Sequence, residues 1–296
     1  MTTPPPPIPT AARATRANLR DAYDLGLAGA LGALFGLYLY VEGVRAESVY
    51  ARDAMAGLLI GGSLGFFLNA YAPFRDRAWI KLSRSVATGA PAAAVGGAVG
   101  LVAGEMVIGI VQGGLIGRAA SWAVLGLGIG LGQGIADRSR DRLVFGLLGG
   151  GLGGFVGGLV FEGLRLATGN RPDLVQPPGM VILGAGLGTC LAVVEQALRR
   201  AWVQVQSGRQ EGRIYLLAPS ISRLGLDERA EVGIFGDPTV SRRHAEIAAS
   251  ADGYLLRDLA GAGTTRVNGT AIAGDHPLRD GDRIELGRTW LVFRHR

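Results

Sequence analysis

Few residues in this chain could do chemistry, and their spacing is as informative as their types. The three histidines, His244, His276 and His295, lie in the C-terminal third with no cysteine near them, which excludes a histidine metal site and a cysteine–histidine pair. The single cysteine, Cys190, sits inside an apolar run, so there is no disulfide framework and no metal-ligand spacing. No nucleophile–base pair and no phosphate loop appears, so neither an enzyme nor a cofactor is expected. What stands out instead is a set of lone glutamates, Glu42 in YVEGV, Glu105 in AGEMV and Glu162 in FEGL, each at one end of a long apolar run. Such a carboxylate can simply end its helix at a membrane interface. Brought together by packing, the three would disfavour one another's ionisation or hold a cation.

The elements that would position these residues are membrane helices. The stretch Gly146–Gly163 carries no charge before Glu162, and its glycines recur every four residues, Gly149, Gly153, Gly157 and Gly150, Gly154, Gly158. In water each interior Gly costs about 1 kcal/mol against Ala. In a bilayer the backbone must satisfy its own hydrogen bonds, and small-xxx-small rows let helices approach closely. Composition agrees: 48% of residues are hydrophobic, only 18% are charged, and the mean hydropathy is positive. Six apolar spans follow, at 25–44, 54–73, 86–111, 119–136, 143–164 and 179–198, each near the length that crosses about 30 Å of hydrocarbon. They read as one hairpin repeated three times, with IGGSLG (Ile60–Gly65), LGLGIG (Leu125–Gly130) and LGAGLG (Leu183–Gly188) aligned and a lone glutamate on the first helix of each. Three two-helix units in pseudo-threefold arrangement are expected.

Residues 1–22, with the Pro4–Pro7 run, read as a disordered cytoplasmic tail, and 23–202 as the six-helix domain. Twelve Arg and Lys residues flank the spans on the side of the N-terminus, against five on the other. That asymmetry predicts both termini in the cytoplasm of an integral inner-membrane protein. The basic pI of about 10 is explained by these flanks and the lipid bilayer, with no nucleic acid as partner.

After Trp202 the composition changes. Residues 203–212 read as a polar linker, and 213–296 as short strands, RIYLLA, EVGIFG, AEIAA, YLLRDL, RIELG and TWLVF, separated by Asp252-Gly253, Asn268-Gly269 and Asp280-Gly281 turns. This is the pattern of a small β-sandwich. Within it, SRRHAEI (Ser241–Ile247), Asp258-Leu259, VNG (Val267–Gly269) and LRDGDRIELG (Leu278–Gly287) resemble a forkhead-associated domain. The resemblance implies a sandwich whose loops bind phosphothreonine peptides, with Ser241, Arg242, His244, Asn268, Gly225, Leu226, Gly263 and Thr264 at the binding loops. It also shows two departures. The family's Gly-Arg pair falls on Gly225-Leu226, so the phosphate-binding arginine is a leucine. Its Asn-Gly-Thr falls on Gly263-Thr264-Thr265, so the asparagine that holds the peptide backbone is a glycine. Ser241, whose hydroxyl can bond a phosphate oxygen, and His244, which braces the loop in the family, are retained, and Arg223, Arg229 or Arg242 could substitute for the lost arginine.

Two functions compete. One is a membrane-anchored signalling or scaffold module that recruits a cytoplasmic protein or phosphoprotein and can form a homo-oligomer through its helices. The other is a channel or transporter-like repeat regulated by the β-domain. Beyond the glutamates the spans hold only Asn69, Gln112, Gln133, Asp137 and Glu195, mostly near their ends, too sparse for a permeation path, so the binding module is expected.

Overall fold

The computed structural model describes residues 11–295 other than 46, 111–113, 138–139, 170, 199, 218–220, 251–252, 262 and 273. The proline run, Gln112, Arg138, Arg199 and Asp252 fall outside the described residues. The chain divides into two compact units, one of residues 20–198 and one that contains residues 199–296.

The first unit is helical: α1 Ala11–Gly43, α2 Val49–Asp76, α3 Trp79–Ile110, α4 Gly114–Asp137, α5 Arg140–Ala167 and α6 Pro172–Leu198. Each holds a stretch long and apolar enough to cross a membrane. The helices reach beyond the apolar spans read in the sequence, and two of their starts are instructive. Helix α1 starts at Ala11, inside the segment expected to be a disordered tail, because the Ala-rich and Arg-rich residues there are good helix formers and the helix beyond supplies the nucleus. Helix α3 starts at Trp79, before the apolar span, immediately after a turn closed by Arg77 in the left-handed region with φ of 55°.

Glycine decides how these helices pack. Gly57 of α2 faces Gly97 of α3, Gly96 of α3 faces Gly128 of α4, Gly126 and Gly130 of α4 face Gly150 and Gly146 of α5, and Gly184 of α6 faces Gly29 of α1. At each of these a Cβ would collide with a facing backbone carbonyl. Gly32 and Gly36 of α1 also lie against Leu64 and Ile60 of α2, and Gly153 and Gly157 of α5 against Leu187 and Leu183 of α6. The contacts therefore run from α1 through α6 and back to α1, a closed ring. Inside it, Ile60, Leu125 and Leu183, then Leu64, Ile129 and Leu187, come from α2, α4 and α6 and belong to one buried cluster. On the outside, Leu148, Leu152, Val156 and Val160 of α5 form a stripe 45–53% exposed, a surface suited to lipid rather than water.

The second unit has eleven strands among the described residues: β1 Ala201–Val205, β2 Ile214–Leu216, β3 Ile221–Gly225, β4 Val232–Gly233, β5 Ala245–Ser250, β6 Gly253–Asp258, β7 Thr265–Val267, β8 Thr270–Ala271, β9 Asp275–Leu278, β10 Arg283–Leu286 and β11 Thr289–His295. One sheet has the order β2-β1-β11-β10-β7-β8 and the other β4-β3-β5-β6-β9. Val203, Val205, Leu224, Ile247, Leu256, Ile284, Leu286, Leu291 and Phe293 fill the space between them. Strand β1 corrects the expected linker. Residues 203–205 are its inner part, pairing with both β11 and β2, so the sandwich begins ten residues or so earlier than its turn signals suggest. The reason is physical: Ala201, Val203 and Val205 alternate inward into the core, while Trp202 is only half-buried.

Candidate peptide-binding loops and a cavity between the helices

The loops at one end of the sandwich are tied together through the backbone around His244. Its own N–H donates to the Leu224 carbonyl at 2.9 Å, and its carbonyl accepts from the N–H groups of Leu259 and Ala260 at 2.9 and 3.0 Å. The imidazole is buried, 1% exposed, and Nδ1 accepts the Ser241 N–H at 3.0 Å. This fixes the neutral ring in one tautomer. The Leu226 N–H donates to the Ser241 carbonyl and the Asp227 N–H to the Arg242 carbonyl, both at 3.1 Å. Gly225 has to be glycine here, because a Cβ would run into the Arg242 carbonyl. The structure thus brings Gly225, Leu226, Ser241, Arg242 and His244 together and joins them to the start of the β6–β7 loop.

The two departures from the family pattern take physical form. Leu226 is half-buried and packs against the sandwich core, so an apolar side chain turned inward stands where a guanidinium is expected. Gly263 adopts φ of +90° and offers no side-chain amide. Beside it, the Thr264 hydroxyl donates to Asp258 at 3.2 Å, and the Thr265 hydroxyl donates to the same carboxylate at 3.0 Å. Asp258 therefore closes the loop that carries Gly263, a role that Asp258-Leu259 as a motif did not reveal. Asn268 is placed elsewhere. It stands in the β7–β8 turn at φ of 52°, its amide donating to Asp282 at 2.9 Å and accepting the Arg283 N–H at 3.0 Å, so its hydrogen bonds hold a turn to β10 and do not reach these loops. Ser241, Arg242, Arg223 and Arg229 all present exposed side chains.

Sequence reading missed Asp237. This buried carboxylate accepts the N–H and hydroxyl of Thr239 at 3.0 and 2.5 Å, the Arg288 N–H at 2.8 Å and the Thr289 hydroxyl at 2.9 Å. Burial by itself would push its pKa up, but the hydrogen bonds from Thr239, Thr289 and Arg288 together hold it below the usual carboxylate range. It anchors the loop that delivers Ser241. The signal available was an Asp two residues before a Thr in a glycine- and proline-bearing loop.

In the helical unit a cavity of about 240 Å³ opens at the end where α1, α3 and α5 finish and α2, α4 and α6 begin, with walls from all six helices. Glu105 and Glu162 line it; Glu42 does not, and is exposed. Of the two readings of the three glutamates, the one that brings all three together is corrected to two. One of these is already compensated: the buried Glu162 carboxylate accepts from Arg165 Nε at 2.7 Å and from a second Arg165 nitrogen, with Arg118 Nε at 3.6 Å. Arg118 comes from α4, across the ring contact, and reduces the like-charge repulsion that three bare carboxylates would meet. Among the described residues no group of three His, Cys, Asp or Glu is arranged to hold a metal ion. Asp53, Arg118 and Gln176 also line the cavity, and each stands seven residues before Ile60, Leu125 and Leu183 respectively, a register that the aligned glycine motifs already contained.

Comparison with known proteins concerns the sandwich. A protein of Corynebacterium jeikeium named oxoglutarate dehydrogenase inhibitor is 32% identical over 93 residues, 31% of this chain and 63% of its own length. The chain thus spans less than two thirds of that curated relative. Among solved structures, the FHA domain of FhaA, complexed with another protein's intracellular domain, is 33% identical, covering 32% of this chain and 99% of that one with a TM-score of 0.29. The FHA domain of a Chlamydia trachomatis protein is 25% identical, covering 33% and 98% with a TM-score of 0.30. Residues 204–296 match the family described as the inner membrane component of T3SS, cytoplasmic domain, and what the chain carries behind its six membrane-capable helices is a β-sandwich matching the forkhead-associated fold.

Proposed function

We propose that this chain is a membrane-anchored protein-interaction module whose sandwich, held at the cytoplasmic face of an inner membrane, binds a protein partner without depending on phosphothreonine. The observation that carries this reading is Leu226, half-buried against the core at the position where the resemblance places a phosphate-binding arginine. A charge-assisted hydrogen bond is worth about 1.5–3 kcal/mol, so losing the arginine weakens a phosphopeptide at least about tenfold. Gly263 removes the asparagine contact to the peptide backbone as well. The bracing of the loops by His244, Asp258 and Asp237 keeps the surface formed and available to an unphosphorylated partner. That the C. jeikeium relative is named as an inhibitor of an enzyme fits a domain whose target is another protein. Against the channel reading stand the two apolar layers inside the ring, Ile60, Leu125 and Leu183 and then Leu64, Ile129 and Leu187.

The test uses the full chain in lipid nanodiscs, titrated with a phosphothreonine peptide library and its dephosphorylated counterpart. No phosphate-dependent binding is expected from the wild type. Leu226→Arg combined with Gly263→Asn is expected to create it. Micromolar binding by the wild type that disappears on dephosphorylation overturns the proposal.

A further inference from the structure

The cavity at the end of the helical ring is a different kind of site from the sandwich loops. Its charges do not cancel. Glu162 is held by Arg165 and Arg118, whereas Asp53 of α2, half-buried, and Glu105 of α3, exposed, line the same cavity. Three acids against two arginines leave the lining net negative. Three aromatic side chains also line it: Trp122 of α4 and Phe161 of α5 lie with ring centroids 5.2 Å apart, and Tyr40 of α1 joins them. Leu37, Ile60, Leu101 and Met180 add apolar lining.

We propose that this cavity binds a small organic ammonium ion. Aromatic faces attract a quaternary or primary ammonium through their quadrupoles, and the attraction grows when the cation is partly desolvated. A carboxylate pair supplies the counter-charge. A hard metal cation is the poorer fit, since calcium asks for six to eight oxygen ligands and no group of three carboxylate, histidine or cysteine side chains is arranged for one among the described residues. The volume, about 240 Å³, lies below the usual range for drug-sized ligands, which restricts the occupant to a compact molecule. This inference is independent of what the sandwich binds.

The experiment follows thermal unfolding of the full chain in nanodiscs against tetramethylammonium chloride, with sodium chloride at equal ionic strength as reference. A saturable rise in Tm with tetramethylammonium and none with sodium is expected, because a ligand that binds only the native state stabilises it. Asp53→Asn with Glu105→Gln, which keeps the shapes and removes the charges, is expected to raise the half-saturating concentration at least tenfold. Trp122→Leu is expected to raise it as well. Equal response to sodium, no response to tetramethylammonium, or an unchanged response in the Asp53→Asn/Glu105→Gln protein overturns the proposal. Should the double variant not yield a monodisperse protein, Glu105→Gln alone, at an exposed position, decides in the same way.

Discussion

Asp237 determines whether the loop bearing Ser241 is rigid, since one carboxylate fixes Thr239, Arg288 and Thr289 at once. Asp237→Ala leaves buried donors without an acceptor and is expected to destabilise the sandwich by about 2–4 kcal/mol. Its pH dependence has a definite sign. The native carboxyl titrates below its unfolded value of about 3.9, so the stabilisation is fully present above that pH and is lost as the pH falls from there through the native value. Hydrogen exchange at the β5 and β11 amides of the full chain reads both effects. Faster exchange in Asp237→Ala at neutral pH, converging on the wild type in acid, is the expected result, and identical rates at neutral pH would refute it. Leu226 teaches the complementary point at this scale: its identity was readable as a lost arginine, but only packing showed the side chain turned toward the core.

Helices in the ring owe their contacts to particular glycines, and these differ in how much space surrounds them. A Cβ at Gly130 of α4 would overlap the Gly146 carbonyl of α5, whereas one at Gly186 of α6 would meet its nearest atom, the Gly153 carbonyl, at 3.7 Å, an ordinary contact. Gly130→Leu is therefore expected to separate α4 from α5 at a cost of about 1–3 kcal/mol or more, with a lower Tm in detergent. Gly186→Ala is expected to leave Tm unchanged or slightly higher, through the lower helix cost of Ala. Equal effects of the two substitutions would show that close backbone approach does not hold the ring. Both glycines belong to the same repeated motif in the sequence, and nothing local tells them apart. The neighbour across the contact does.

At the scale of the whole molecule, the basic flanks predict the orientation in the membrane. A reporter fused after Arg296 is expected to be active only when it reports on the cytoplasm, because twelve basic residues flank that side against five on the other. Activity of a periplasmic reporter there would reverse the orientation and with it the access of the sandwich to cytoplasmic partners. In the expected orientation the cavity lies at the end of the helices away from the cytoplasm, where α1, α3 and α5 finish.

By itself the sequence determined the membrane class, the six helices and the sandwich, because each follows from a local rule: uncharged runs of spanning length, glycines every four residues, and turn signals between short strands. By resemblance alone it marked Leu226 and Gly263 as departures from the family pattern. It missed β1, whose place in the sandwich depends on pairing with β11 at the far end of the domain. It grouped Glu42 with Glu105 and Glu162 by spacing, where the ring admits only two of them to the cavity and sets Arg118 and Asp53 beside them. Asn268 was read as a binding residue, and the structure adds that its amide holds the turn to β10. Partners of this kind are separated by tens to a hundred residues along the chain, so only closure of the ring and of the sheets, which trades chain entropy for burial and hydrogen bonding, decides who meets whom.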